Sequence, residues 1–154
     1  MRTTLILATL VLIFTACKKD KYTTEPQVKY KSVNPNLGNS NLTSITKELA
    51  PKLTIEVTDA EGDVGRTDTD TSWVFIKNLK TDRSDSFPFP DLQTAAGKKF
   101  KADVVVNLYE LLLCIPTSPR PRRDTFYFEV YVNDFGKNKS NIISTGDPVY
   151  FDCL

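Results

Sequence analysis

The 154-residue chain contains no histidine. That absence excludes the Ser-His-Asp and Cys-His catalytic sets, the His-Glu-x-x-His metalloproteases and every His-ligated metal. Glycine is scarce at 6 residues, and none sits in a phosphate-cradling loop or a Gly-x-Ser-x-Gly elbow. Neither sign of charge dominates, with 20 Lys plus Arg against 19 Asp plus Glu, so no global field draws the chain to nucleic acid. No apolar run is long enough to cross a bilayer, and no internal repeat suggests a solenoid. With 40% hydrophobic residues the chain can build one domain with a core and is too short for two. The carboxylates Glu56, Asp103, Glu110 and Glu129 have no spacing that marks an acid–base pair for glycoside cleavage. The expectation is a protein that is not an enzyme.

What the chain does have begins at its N-terminus. Arg2 precedes an apolar or small stretch, Leu5 to Phe14, about half the length of a bilayer-spanning helix, and Thr15-Ala16-Cys17 follows. This is the pattern of a signal peptide. Phe14-Thr15-Ala16-Cys17 resembles the lipobox of bacterial lipoproteins, in which small residues precede a Cys that is diacylated and becomes the new N-terminus on cleavage. The competing reading is an ordinary secretory signal with an incidental Cys; the position of Cys17, where cleavage should occur, argues against it. The resemblance implies removal of residues 1–16 and lipidation of Cys17. Residues 17–26, charged and without apolar period, then form a tether. Acyl chains, at about 0.8 kcal/mol per buried methylene, would anchor the protein without a spanning helix. In that family an Asp after the lipidated Cys signals inner-membrane retention. Lys18 stands there, which implies the outer membrane and leaves open a periplasmic or cell-surface orientation.

With Cys17 assigned to lipid, Cys114 and Cys153 remain in an oxidising compartment, and a disulfide between them is expected. A free catalytic thiol is the alternative, but it would lack a histidine base. Closing a loop of about 39 residues stabilises a fold by about 4 kcal/mol in the chain-entropy treatment.

From residue 27 onward apolar residues recur mostly at spacing two, the period of half-buried strands. Val28 and Tyr30 alternate with Gln27, Lys29 and Lys31; Leu53, Ile55 and Val57 alternate with Thr54, Glu56 and Thr58. Residues 73–76, WVFI, are apolar on both faces and suit a central strand, whereas Phe87-Pro88-Phe89-Pro90 suits only an edge. Phe100, Ala102, Val104, Val106 and Leu108 alternate again. Residues 124–134 form the clearest pattern, with Phe126, Phe128, Val130 and Val132 on one face and Tyr127, Glu129, Tyr131 and Asn133 on the other. The last strand, 141–153, is broken near Gly146-Asp147-Pro148. Tyr109 to Leu113 reads as a turn or a strand continuation.

About seven strands with turn signals between them predict an all-β fold, an antiparallel two-sheet sandwich over residues 27–154 with a constant-type immunoglobulin-like layout. DAEGDVG at 59–65 and DFGKNKSN at 134–141 resemble turns of immunoglobulin-like modules in small Gram-negative lipoproteins. Trp73 falls on the third strand, as in the immunoglobulin pattern, but the antibody-type pair of cysteines is missing. Chain direction alone then brings Cys114 and Cys153 to one pole and the loops 59–72, 91–98 and 134–140 to the other, together with the start of the first strand.

Two loops carry candidate sites. Asp59, Glu61 and Asp63, with Asp134 from the other loop at that pole, offer oxygen ligands of the type calcium takes, although the EF-hand spacing is absent. The simpler reading, a solvated acidic turn in which Asp and Gly serve backbone geometry, takes precedence on sequence alone. No other cofactor is implied. PTSPRPRR at 116–123 places Arg120, Arg122 and Arg123 on an extended loop suited to an anionic ligand or partner; the competing reading is a stiff loop kept soluble by charge. Tyr127, Glu129 and Tyr131 share the non-core face of one strand, where aromatic rings can stack on sugars or merely pack across strands. The expected role is a lipid-anchored, non-enzymatic binding or accessory module of the cell envelope, with an envelope protein or glycan as partner. The alternative is a carbohydrate-binding lipoprotein of a glycan-uptake system, which an aromatic groove on one sheet would favour.

Overall fold

Alternation becomes structure as ten strands: β1 (Gln27–Asn34), β2 (Leu37–Asn39), β3 (Lys52–Asp59), β4 (Trp73–Asn78), β5 (Ser84–Pro88), β6 (Phe100–Asn107), β7 (Arg122–Phe126), β8 (Phe128–Asn133), β9 (Ile143–Ser144) and β10 (Val149–Cys153). The structure is a computed structural model that describes residues 22–42, 46–90, 98–116 and 118–154. The apolar N-terminal stretch, Cys17, the first part of the tether and most of the 91–98 loop lie outside the described residues. Tyr109–Leu111 is a single 3₁₀ turn.

One sheet has the order β1-β3-β6 and the facing one β5-β4-β8-β9, both antiparallel. The fold is the all-β sandwich that the period-two pattern predicts. Its core is built by alternate residues of both sheets: Leu53, Ile55 and Val57 of β3 and Val104 and Val106 of β6 meet Val74 and Ile76 of β4 and Phe128, Val130 and Val132 of β8. All are buried, while Val105 between its two partners is exposed. Val28 and Val33 are an odd number of positions apart, yet both are buried. A bulge between Tyr30 and Ser32 adds the extra residue that turns Val33 inward.

Three details depart from the constant-type layout. The edge strand β5 pairs with β4 and so joins the β4-β8 sheet, where that layout would put it beside β6. Pro88 at its end cannot donate to a ladder, which confines it to the rim. Residues 122–133 do not stay in one sheet. β7 pairs with β10 in a third sheet of order β2-β10-β7, and after Tyr127 the chain continues as β8 in the four-stranded sheet. Phe126 and Phe128 both remain fully buried across the switch, so the inward face is kept while the pairing partner changes. Trp73, finally, is not a core residue; it is 40% exposed on the outer face, and the buried aromatic volume comes from Phe89, Phe126, Phe128 and Phe151.

Backbone bonds fix the two poles. At the proximal pole Ala60 N–H donates to Thr23 O, Lys99 N–H to Ala60 O and Phe135 N–H to Asp63 O, joining the incoming N-terminal segment to the loops at 59–72 and 134–140. At the distal pole Cys114 and Cys153 form the expected disulfide, with Cα atoms 5.8 Å apart. Asn141, just after the 134–140 loop, ties that segment to the start of β1: its side-chain amide accepts from Val28 N–H at 2.8 Å and donates to Val28 O at 3.0 Å, as a strand backbone would.

Candidate functional site

The proximal acidic loop is divided by the fold. Asp59 closes β3 on the face of Leu53, Ile55 and Val57, and that register carries its carboxylate inward; the residue is 0% exposed. Gly62, in the left-handed region at φ 75, aims its N–H at Asp59 Oδ2. Among the described residues no donor reaches Asp59 Oδ1 or the buried Oδ1 of Asp63. Burial pushes the Asp59 carboxyl above its usual range; the Gly62 and Asp63 N–H groups oppose this, and the neighbouring Asp63 carboxyl, by its charge and by a hydrogen bond, adds to the rise. Glu61 is exposed. Asp134 is buried but committed: its Oδ1 accepts from Asn138 N–H at 2.7 Å and its Oδ2 from the Asn138 side-chain amide at 2.8 Å. It shapes its own turn, so of the four proposed cation ligands the structure brings together only Asp59 and Asp63.

The arginine loop is corrected more strongly. Rather than extending into solvent, it wraps the Arg122 guanidinium, which donates to Ile115 O, Ser118 O and Pro119 O and to Asp124 at 3.0 Å. Asp124, 3% exposed, also takes Lys80 Nζ at 2.7 Å. Burial alone would raise its carboxyl, but Lys80 and Arg122 together hold it below the ordinary value. Arg123 makes a two-pronged pair with Asp152, at 2.6 and 2.8 Å. Two of the three guanidiniums are thus used internally. Arg120 remains, and it lines a distal cleft of about 360 Å³ together with Arg83, Leu42, Tyr109, Glu110 and Leu113. Arg83 has no mark in the sequence, because only the turn between β4 and β5 brings it beside a loop almost forty residues away.

A second, shallower groove of about 470 Å³ lies on the outer face of the β5-β4-β8-β9 sheet. Phe75 and Tyr131 are cross-strand partners stacked at 4.7 Å, and Lys139 Nζ lies 3.9 Å from the Tyr131 ring centre. Ser86, opposite Phe75 on β5, is small, and Lys77, Asp85 and Glu129 provide polar groups around the rings. Tyr127 sits at the sheet switch, outside this groove.

The carboxylates considered for catalysis do not form a cleft. Glu56 and Asp103 are cross-strand neighbours on the outer face of the three-stranded sheet, bridged by Lys31 at 3.5 and 3.7 Å, and Glu56 also pairs with Lys101 at 2.7 Å. Glu110 lies on the distal 3₁₀ turn and Glu129 on the opposite sheet.

No protein-family model matches the chain, and no curated protein matches it. Among solved structures, one match is titled "Crystal Structure of the Periplasmic Chaperone SfaE", at 10% identity and a TM-score of 0.26, covering 83% of this chain. The chain spans about half, 55%, of that protein. A superposition this loose transfers neither fold nor role.

Proposed function

We propose that this protein is a lipoprotein of the outer membrane, held through acylated Cys17, whose sandwich is a non-enzymatic binding or accessory module of the cell envelope. The observation that carries this reading is the polarity of the domain. The segment leading from Cys17 joins the fold at the proximal pole, at Thr23 and Ala60, while the cleft with Arg83, Arg120 and the exposed Leu113 opens at the distal one. Consumption of Cys114 and Cys153 by the disulfide leaves Cys17 as the thiol available for acylation. The cleft combines two guanidiniums with apolar Leu42 and Leu113, a composition suited to an acidic, partly apolar surface of an envelope protein.

Growth with an alkyne-tagged fatty acid tests the anchor: label is expected on the wild type and not on Cys17→Ser. Cross-linking in intact envelopes, with wild type against an Arg83→Ala, Arg120→Ala double variant, tests the cleft. Persistence of label in the serine variant would remove the anchor, and an unchanged cross-linking pattern would remove the cleft from recognition.

The groove at Phe75 supports a second reading, a glycan ligand. Tyr131 is covered by Phe75 and Lys139, which leaves Phe75 as the ring to stack on a sugar, with Asp85 and Glu129 to accept from its hydroxyls. Affinity electrophoresis in gels containing envelope polysaccharide separates the two readings: retardation lost in Phe75→Ala supports the glycan, and unretarded migration of the wild type rejects it.

A further inference from the structure

Charge inside a protein must be matched, and the proximal pole contains a mismatch. Asp59 is fully buried at the end of the core face of β3, and one of its oxygens has no donor. Asp63, four residues on, brings a second carboxyl within hydrogen-bonding reach and also buries an oxygen without a donor. Two carboxylates in contact repel, and an unpaired charge taken out of water is strongly disfavoured. Among the described residues no Lys or Arg forms an ion pair with either. The surrounding turn is nevertheless tightly specified: Gly62 N–H holds Asp59 Oδ2, and Phe135 N–H holds the Asp63 carbonyl from the neighbouring loop. The first contact holds the Asp59 carboxyl and the second the Asp63 backbone, and neither reaches an Oδ1 atom.

We propose that Asp59 and Asp63 form a binding site for one hard divalent cation of the calcium type. A cation supplies the missing positive charge and takes both Oδ1 atoms, neither of which accepts a hydrogen bond from an N–H or hydroxyl donor among the described residues. No group of three or more Asp, Glu, His or Cys surrounds the position among the described residues, so the remaining ligands are backbone carbonyls and water, both of which calcium accepts among its six to eight oxygens. Glu61 and Asp134 are outside the set, the first exposed and the second bound to Asn138. Asp63 is only partly buried, which gives the ion a way in from solvent. With two carboxylates, affinity belongs to the weak end of calcium sites, roughly 10⁻⁴ to 10⁻³ M. The inference is independent of the anchor and of the distal cleft.

The full chain, freed of metal with a chelator and kept at constant ionic strength, is titrated with calcium chloride by calorimetry and by thermal melting. The expected result is one calcium bound per chain, a melting temperature raised by a few degrees at millimolar calcium, and a weaker response to magnesium. Asp63→Asn, chosen because Asp59→Asn would also disturb the Gly62 contact, is expected to bind at least tenfold more weakly while keeping the native near-ultraviolet signal of Trp73. Glu61→Gln is expected to bind as the wild type does. The proposal is overturned if the wild type takes up no calcium at 5 mM at pH 7.5, where a rise in melting temperature for Asp63→Asn would show a shared proton instead. It is equally overturned if Asp63→Asn binds calcium as tightly as the wild type.

Discussion

Reducing the Cys114–Cys153 disulfide changes no side chain except to add two hydrogens, so it isolates the effect of the cross-link. The bridge spans a sequence separation of 39 and encloses β7, β8, β9 and β10. A loop of that length removes about 13 cal/mol/K from the unfolded chain, or about 4 kcal/mol at 25 °C. For a domain of this size the loss corresponds to roughly 15 °C in melting temperature. Urea unfolding of the oxidised and reduced protein should show the midpoint fall and the slope rise, since the reduced chain exposes more surface when unfolded. A Cys114→Ala variant should match the reduced wild type, because Cys114 is only partly buried and its removal opens little core. Agreement of the oxidised and reduced unfolding free energies to within about 1 kcal/mol would refute the reasoning, since the chain-entropy term is several times larger.

Asp124→Ala should destabilise by about 2–4 kcal/mol in urea melts, as Lys80 and Arg122 lose the buried carboxylate between them. Because that carboxyl titrates below its ordinary value in the fold, its contribution is complete above the unfolded carboxylate range and is lost as pH falls through the folded value; the urea midpoint of the variant should therefore respond less to acid than that of the wild type. Tyr30, raised by burial and by its 2.7 Å bond to Asp147 to about 12, should ionise late in an absorbance titration. Its contribution holds below the unfolded value near 10 and disappears as pH rises through about 12, and Tyr30→Phe should abolish that alkaline dependence. Phe128→Ala, at the fully buried start of β8, should cost about 3–5 kcal/mol, measured by the same melts.

Strand positions were readable because a period of two directly reports a half-buried strand. Val149, Phe151 and Cys153 alternate in the structure as they do in the sequence, and the break before them falls at Gly146 to Pro148. Pairing was not readable in the same way. Nothing in the alternation around Tyr127 distinguishes a strand that stays in one sheet from one that changes partner, because Phe126 and Phe128 face inward in either case. β2 is too short to carry a period, and the bulge at Tyr30 to Ser32 is visible only as Val33 out of phase. In the sites, composition marked the acidic turn but not which carboxylates were free: Asp134 and Asp59 look alike in sequence, and only the contact with Asn138 separates them. Arg122 and Arg123 look free beside prolines, and it takes Asp124 on the same strand and Asp152 across the ladder to show that both are paired.

The disulfide also sets how the domain transmits force. β1 begins at the proximal pole and β10 ends at the distal one, so tension between the N-terminal segment and a partner at the far end runs along the strands. Such a pull loads the β1–β3 ladder in shear, where many hydrogen bonds must fail together instead of parting one by one. Beyond that ladder the covalent bridge is a shortcut from Cys114 to Cys153, which takes β7, β8, β9 and β10 out of the load path. A pull on the two ends can pay out only the chain from residue 27 to residue 114 before it meets a covalent stop, and the enclosed strands stay closed on themselves while it does.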